Sequence, residues 1–257
     1  MKKVLVVFSE GSKKNILIDS AIFFKKRFGY KIVPLYIKDV RRDEILPATM
    51  DGMIVNLSNN SFTQERDALE EEEVKKLREK LESKGVKEPL NIEFGFPWDI
   101  IKEYMKCADL LMFEKGESLS ESAITVLKNH FKPIIMVGEK GINSLEKVGI
   151  SSDDGVKINK SVFSFINIFS EINSFSMYTL LYKIEENTLL KYLEEKGKKV
   201  EWKNFDGELA KEKYLEEINK LDLLIMGNLS VSYFFEKITG RKGLSIMEKS
   251  QASIFIG

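Results

Sequence analysis

Two stretches of the chain share one outline, and this repeat constrains the fold more than any other feature. Residues 109–137 begin with DLLMF, pass through a loop into the helix-like ESAITVLKNH, and end with PIIMV. Residues 222–256 follow the same outline, from DLLIM through a polar loop and a segment of helical spacing to IFI. Short apolar runs bounded by glycine or proline are typical of strands. Each copy is therefore predicted to be strand, loop, helix, strand, and the chain to consist of two related units.

Within each unit, the residues before the repeated stretch alternate strand-like apolar runs with segments of helical spacing. Lys3–Phe8 is a valine-rich apolar run, as expected for a central parallel strand buried on both faces. The turns at 10–15 and 154–159 carry glycine, lysine and asparagine at the same relative places, so each turn opens its unit in the same way. The predicted fold is α/β, with two Rossmann-like units, each a five-stranded parallel sheet with helices on both faces.

The joint between the units is predicted at the chain breakers Gly138 and Gly141, which gives domains at 1–140 and 146–257. Within the first domain, 41–61 is predicted to be a long loop, with a short edge strand at 53–57. The charged stretch 63–84 is predicted to be an exposed helix. In the second domain, apolar spacing predicts a helix over 162–172 and a strand over 177–184.

Composition excludes several classes of protein. The 257 residues include 40 basic and 40 acidic side chains, so bulk electrostatics do not indicate a nucleic-acid-binding protein. Cys107 is the one cysteine, which excludes a disulfide within the chain and fits a reducing compartment. No apolar run approaches the roughly 20 residues that span a bilayer. We expect a cytoplasmic protein that is not inserted in a membrane.

The ordered pieces of the repeat, together with GFPWDIIKEYMKCADLLMF, resemble the universal stress protein family in its tandem form. The likeness covers nearly the whole chain apart from 41–61. It implies two domains of the adenine nucleotide alpha hydrolase-like fold. It also implies an internal pseudo-dimer joined through the last strand of each unit, at 134–137 and 254–256.

Family members that bind ATP are similar in having a loop of the form Gly, two residues, Gly, nine residues, Gly, then Ser or Thr. Gly227, Ser230, Gly240 and Arg241 hold those places in the second unit, so serine replaces one glycine and arginine replaces the hydroxyl residue. Backbone N–H groups at a helix start bind anions, and arginine adds charge for a phosphate. Asp154 follows the first strand of this unit, where it is either a ligand for ribose or magnesium or a turn residue.

The first unit departs further from the family loop. Its loop is about seven residues shorter, and Glu114 and Glu121 stand at the first-glycine and hydroxyl places. Two carboxylates that face a triphosphate repel it, by about 1 kcal/mol or more for each close pair. An adenine nucleotide is therefore expected in the second unit only.

The leading hypothesis is a non-catalytic, stress-associated protein that binds ATP with magnesium, or another adenine nucleotide. His130 is the one histidine, so no histidine-rich metal site and no Ser-His-Asp triad within the chain is predicted. No catalytic residue is proposed, although slow ATP hydrolysis stays open. The alternatives are a nucleotide-free protein–protein interaction module and an enzyme of the adenine nucleotide alpha hydrolase superfamily. The protein partner is not identified by the sequence, and monomer and homodimer both remain open.

Overall fold

The computed structural model describes residues 1–42, 58–116, 118–181, 187–228 and 247–257, without the side chains at 42, 58–64 and 66. The described residues of the first half form five strands. In order, its elements are β1 Lys3–Phe8, α1 Lys14–Phe28, β2 Lys31–Asp39, a 3₁₀ turn Val40–Arg42, α2 Ser58–Ser83, β3 Asn91–Gly95, α3 Pro97–Met105, β4 Leu110–Glu114, α4 Glu121–Asn129 and β5 Ile134–Val137.

The second half repeats the alternation of strands and helices. Its described elements are β6 Val148–Ser151, α5 Val156–Ile168, β7 Ser174–Leu180, α6 Thr188–Glu195, β8 Lys199–Phe205, α7 Ala210–Ile218, β9 Leu223–Ile225 and β10 Ser253–Ile256. Just before β10, residues 247–249 form a turn of helix.

All ten described strands belong to one sheet, in the order β3-β2-β1-β4-β5-β10-β9-β6-β7-β8. Within each half the neighbouring strands are parallel. The halves meet where β5 and β10 pair antiparallel, with Phe255 opposite Ile135 at the middle of the pair. The predicted α/β fold with five parallel strands in each half is therefore confirmed, and so are the two joining strands. The prediction of two separate sheets was wrong, because the β5–β10 pair joins the ten described strands into one continuous sheet.

The repeated aspartate has the same structural role in both halves. The Asp109 carboxylate accepts the Lys3 N–H at 2.7 Å, and the Asp109 N–H donates to the Lys3 carbonyl at 2.9 Å. Asp222 repeats both bonds with Lys147, each at 3.0 Å. The aspartate thus aligns the start of the fourth strand with the start of the first strand in each half. This role explains why DLL stands at the head of both copies.

An aromatic cluster packs across the boundary between the halves. Phe169, fully buried just after α5, contacts Phe28 of α1 with ring centroids 4.9 Å apart. It also lies 4.9 Å from Phe165 and 6.3 Å from Phe255 of β10. Offset and edge-to-face aromatic pairs of this kind add stabilisation beyond the burial of area. The cluster therefore holds one face of the joined sheet together.

The charged helix α2 covers the outer part of the first half. Val74, Leu77 and Leu81 are buried and the intervening acidic and basic residues face solvent, which gives the exposed covering helix that the sequence predicts. None of the helices in the described ranges combines the length and the apolar composition that a membrane crossing requires.

Some predicted boundaries were wrong or fall elsewhere. The helix predicted over 162–172 is α5, Val156–Ile168, because the chain turns into helix directly after Gly155. The strand predicted over 177–184 is β7, Ser174–Leu180, which starts earlier because the buried Phe175 between Ser174 and Ser176 also belongs to it. The long loop predicted over 41–61 ends earlier, since α2 begins at Ser58. The edge strand predicted at 53–57 lies outside the described residues, and no observation tests the boundaries of the two domains.

Replacing Phe169 by alanine should remove the centre of the aromatic cluster. We expect Phe169→Ala to lower the free energy of unfolding by about 4 kcal/mol, because a fully buried phenylalanine leaves a large cavity. Urea denaturation followed by circular dichroism measures the change. Phe163→Ala on α5 is the matched control, since that ring is 58% exposed and its loss should change stability by less than about 0.5 kcal/mol. Equal effects of the two variants would contradict the role of the cluster.

Candidate ligand-binding sites at the two switch points

Each half of the sheet has a point where the strand order reverses. In the first half this switch point lies between β1 and β4, and in the second half between β6 and β9. Ligands of open parallel sheets bind beyond the carboxyl ends of the strands at such a point. The two switch points are therefore the candidate sites.

A cavity of about 670 Å³ opens at the first switch point. Its size lies within the range of about 300–1,000 Å³ that is usual for small-molecule sites. Val7 of β1 and Phe113 of β4 line it, together with Ile37 and Ile101. The polar part of the lining includes five serines and four carboxylates: Ser9, Ser12, Ser118, Ser120, Ser122, Glu10, Asp39, Glu114 and Glu121. The wall is thus apolar at the sheet and acidic at the mouth.

Arg41 contributes a cation to this cavity but is held by its neighbours. Its guanidinium makes a forked pair with Asp39, with Nε 3.0 Å from Oδ1 and a second nitrogen 2.5 Å from Oδ2. It also donates to Ser122 Oγ and lies 3.8 Å from the Glu121 carboxylate. Hydrogen bonding from Arg41 lowers the pKa of Asp39. The pair is a fixed part of the wall.

Glu114 occupies the start of α1. Its Oε2 accepts the N–H of Lys13, the residue before the helix, at 2.5 Å. A carboxylate at a helix N terminus is stabilised by the helix dipole and by the unpaired N–H groups there. The chain thus supplies its own anion at a position where a phosphate could otherwise bind. Glu121 also lines the cavity, so both acidic residues that the sequence singled out lie at this site.

Lys115 follows β4 and is buried, with 5% of its surface exposed. Its ammonium points away from the first half and donates to the carbonyls of Met247, at 2.8 Å, and of Glu248 and Ser250. Burial lowers the pKa of Lys115 to about 8, although Glu139 and Glu248 act in the opposite direction. A cation beside the carbonyl oxygens at the C-terminal end of a helical turn is stabilised by the helix dipole. Lys115 therefore joins the loop of the first site to the end of the second half.

Asn228 is the counterpart of Lys115, since each follows its repeated aspartate by six residues. Asn228 lies close to His130 at the end of α4, so the second half reaches back to the first. His130 is buried, which lowers its pKa, and its Nδ1 is 2.8 Å from the Lys132 carbonyl oxygen. Each switch-point loop therefore contacts the last helix of the other half.

At the second switch point, Gly227 stands where the first half has Glu114. A Cβ atom at Gly227 would lie 3.1 Å from the amide nitrogen of Ile158 and 3.1 Å from Lys157 Cβ. The end of β9 thus runs directly against the first turn of α5, and glycine permits this approach. The same place in the two halves holds a carboxylate in one and bare backbone in the other.

Asp154, the other predicted nucleotide ligand in the described residues, caps a helix. Its two carboxylate oxygens accept the N–H groups of Thr188 and Leu189 at the start of α6, both at 2.9 Å. The residue has φ of 55°, a left-handed conformation that aspartate tolerates better than most residues. A helix-capping role is thus observed. Each oxygen keeps lone-pair capacity for a further ligand, so a ribose or magnesium contact remains a prediction.

Three of the predicted site residues, Ser230, Gly240 and Arg241, lie outside the described residues. The structure brings Gly227 and Asp154 to the ends of the adjacent strands β9 and β6, as the sequence predicts. Among the described ranges, no group of three His, Cys, Asp or Glu side chains could hold a metal ion by itself.

Sequence reasoning missed three residues of the first site: Asp39, Arg41 and Lys115. The Asp39–Arg41 pair had a signal, because an acid at the end of a strand and a base two residues later share one edge of the sheet. Lys115 had none. Its partners are 132–135 residues away in the chain, and a lone lysine after a strand usually faces solvent.

Comparison with solved structures identifies the fold. The chain superposes on a universal stress protein from Archaeoglobus fulgidus DSM 4304 with a TM-score of 0.65 and 16% identity, covering 98% of this chain and 97% of the other. A candidate universal stress protein from Pseudomonas aeruginosa UCBPP-PA14 gives a TM-score of 0.55 and 10% identity, covering 99% and 92%. A functionally unknown protein from P. aeruginosa PAO1 gives 0.55 and 11%, with the same coverage.

These likenesses confirm at the level of the fold the resemblance that the sequence indicates. No protein-family model matches the chain, and no curated protein matches it in sequence.

The buried ammonium of Lys115 should make stability depend on pH. The pKa of Lys115 is about 8 in the folded protein and about 10.5 when solvated. Between these values the unfolded chain binds more protons, so stability rises with pH. We expect the unfolding free energy of the wild type, relative to Lys115→Met, to increase by about 3 kcal/mol from pH 8 to pH 10.5. Urea titrations at several pH values measure it.

Lys76→Met is the control for this measurement. Lys76 is exposed and Glu72 raises its pKa, so its contribution should fall, not rise, with pH. A difference between wild type and Lys115→Met that stays flat or falls over this window would show that the Lys115 ammonium is not buried.

Removing the Asp154 carboxylate should destabilise the start of α6. We expect Asp154→Ala to lower the free energy of unfolding by about 2 kcal/mol, because two helix N–H groups lose their acceptor and alanine disfavours positive φ. Asp154→Asn is the matched control. It keeps an acceptor oxygen and tolerates positive φ, so it should retain most of the stability. Thermal and urea denaturation compare the variants, and an alanine variant as stable as the asparagine variant would contradict the capping role.

Proposed function

We propose that the protein is a non-catalytic binding protein of the universal stress protein type, and that the second half binds one adenine nucleotide. The observation that carries the proposal is the agreement in fold with a universal stress protein along 98% of the chain. In that fold Gly227 and Asp154 lie at the ends of β9 and β6, at the switch point where ligands of such sheets bind.

The residues of the second half fit a nucleotide better than those of the first. Gly227 leaves bare backbone beside the first turn of α5, whereas Glu114 fills the matching place with a negative charge. Gly240 and Arg241 follow in sequence at the spacing of a phosphate-binding loop. We assign backbone N–H contacts to Gly227 and Gly240, a hydroxyl contact to Ser230 and a charge contact to Arg241. Asp154 is assigned to ribose or to a magnesium ion bound with the phosphates.

A non-catalytic role is supported by the position of the one histidine. His130 lies buried at the boundary between the halves, with Nδ1 bonded to a backbone carbonyl. This ring is not among the residues that line the first cavity, and it is already hydrogen-bonded to the backbone. We infer that a bound nucleotide acts through its differential affinity for two states of the protein, since only such a difference can bias a partner.

An interaction module without nucleotide is the second candidate. It is favoured by exposed rings at the β3 edge of the sheet, where Phe94 is 65% and Phe96 is 51% exposed. Aromatic rings on a surface are enriched at protein–protein interfaces.

Isothermal titration with ATP and magnesium tests the nucleotide proposal. We expect one ATP per wild-type chain and at least about tenfold weaker binding to Arg241→Ala, because a hydrogen bond to a charged phosphate is lost. Arg78→Ala, on the exposed face of α2, is the matched control and should bind as the wild type does. An absence of binding would leave the interaction module, and two ATP molecules per chain would contradict the restriction to the second half.

A further inference from the structure

The cavity of the first half offers an apolar surface at the middle of the sheet. Val7 and Phe113 are direct neighbours in the β1–β4 pair, yet both side chains are only half-buried. Residues on central strands are normally covered on both faces. Here the cavity lies against Val7 and Phe113, and Ile37 and Ile101 extend the apolar surface. The body of a ligand that fills this space must therefore be apolar on one side.

The three basic residues that line the cavity direct their charges to other partners. The Arg41 guanidinium is forked onto Asp39. The Lys115 ammonium is buried among backbone carbonyls of 247–250. The Lys13 ammonium lies 3.2 Å from Glu139, which is not part of the lining. Each of these three charges therefore has a partner within the protein.

Acidic residues line the same cavity. Glu10, Glu114 and Glu121 line the cavity together. The Glu114 carboxylate is fixed beside the first turn of α1 by its bond from the Lys13 N–H, and Glu121 approaches Arg41 only at 3.8 Å. The acidic groups of the lining outnumber the basic groups by one, from Glu10, Asp39, Glu114 and Glu121 against Lys13, Arg41 and Lys115. The formal charge of the lining is therefore −1, which favours a cationic ligand over a phosphate.

We propose that the first-half cavity binds an organic amine, a molecule with a compact apolar body and one cationic nitrogen. The body lies against Val7 and Phe113, and the nitrogen lies at the mouth beside Glu114. The serines of the rim accept the remaining ammonium protons. This site is separate from the proposed nucleotide site and does not depend on it, so the two halves of one fold take ligands of opposite charge.

Titration with two probes of the same shape and opposite charge tests this proposal. Phenethylamine is a cation at neutral pH, and 3-phenylpropionate is an anion of similar size. We expect the wild type to bind phenethylamine and to bind 3-phenylpropionate at least about fivefold more weakly, as one close charge pair at the protein surface requires. Isothermal titration gives the affinities, and saturation-transfer NMR shows that the ring of the probe contacts the protein.

The variant Glu114→Gln tests whether the amine binds beside Glu114. Glutamine keeps the acceptor for the Lys13 N–H and nearly the same volume, so the fold should be retained, which circular dichroism checks. We expect about fivefold weaker binding of phenethylamine to this variant. Glu103→Gln, an exposed position on α3, should leave the affinity unchanged. Equal affinities for the two probes, no binding of the amine, or an amine affinity that Glu114→Gln does not alter would each overturn the proposal.

A parallel titration with ATP keeps this test apart from the nucleotide proposal. Amine binding without ATP binding would remove the nucleotide proposal alone, whereas ATP binding without amine binding would remove this one alone. ATP binding that is strengthened by Glu114→Gln would place the nucleotide in the first half and overturn the difference between the two cavities.

Discussion

The antiparallel pairing of β5 with β10 is the interaction on which the rest of the structure depends. Each half alone would leave its last strand as an open edge, with unpaired backbone groups and apolar side chains in water. Pairing Ile135 with Phe255 satisfies both edges at once and makes one sheet of the ten described strands. The aromatic cluster around Phe169 then covers the seam on one face. The halves are held together by backbone bonds and by a shared core.

The same seam brings each switch-point loop against the other half. Lys115 reaches the carbonyls of the helical turn before β10, and Asn228 lies beside His130 at the end of α4. The two loops thus reach equivalent places in the opposite half, one through the ammonium group of Lys115 and the other through the side-chain amide of Asn228. A charge that is buried among carbonyls is stable only while those carbonyls remain in place. The shape of the first site is therefore linked to the chain segment that closes the second half.

The two halves keep one fold and differ at their binding edges. The equivalent position at the end of the fourth strand of each half is Glu114 in one case and Gly227 in the other. This one residue determines whether the start of the neighbouring helix, α1 or α5, lies beside a carboxylate of the protein or beside backbone without a side chain. Since a carboxylate at this point repels a phosphate and exposed backbone N–H groups can bind one, a repeated fold can carry two different sites. The likeness in fold to universal stress proteins does not by itself distinguish them.

The sequence by itself determined the α/β fold, the strands that join the halves, and the acidic character of the first site. The fold follows from the local period of apolar residues and from the repeat, which need no knowledge of distant contacts. The joining strands and the acidic residues of the first site are what the resemblance to the universal stress protein family implies. Only the tertiary structure decided that Lys115 is buried, that Arg41 is paired with Asp39 at the cavity, and that Asp154 caps α6. The partners of Lys115 and Asp154 lie 132–135 and 34–35 residues away. A periodic pattern indicates which face of a helix or strand is buried. The partner of a polar group depends instead on which distant segment of the chain the fold brings next to it.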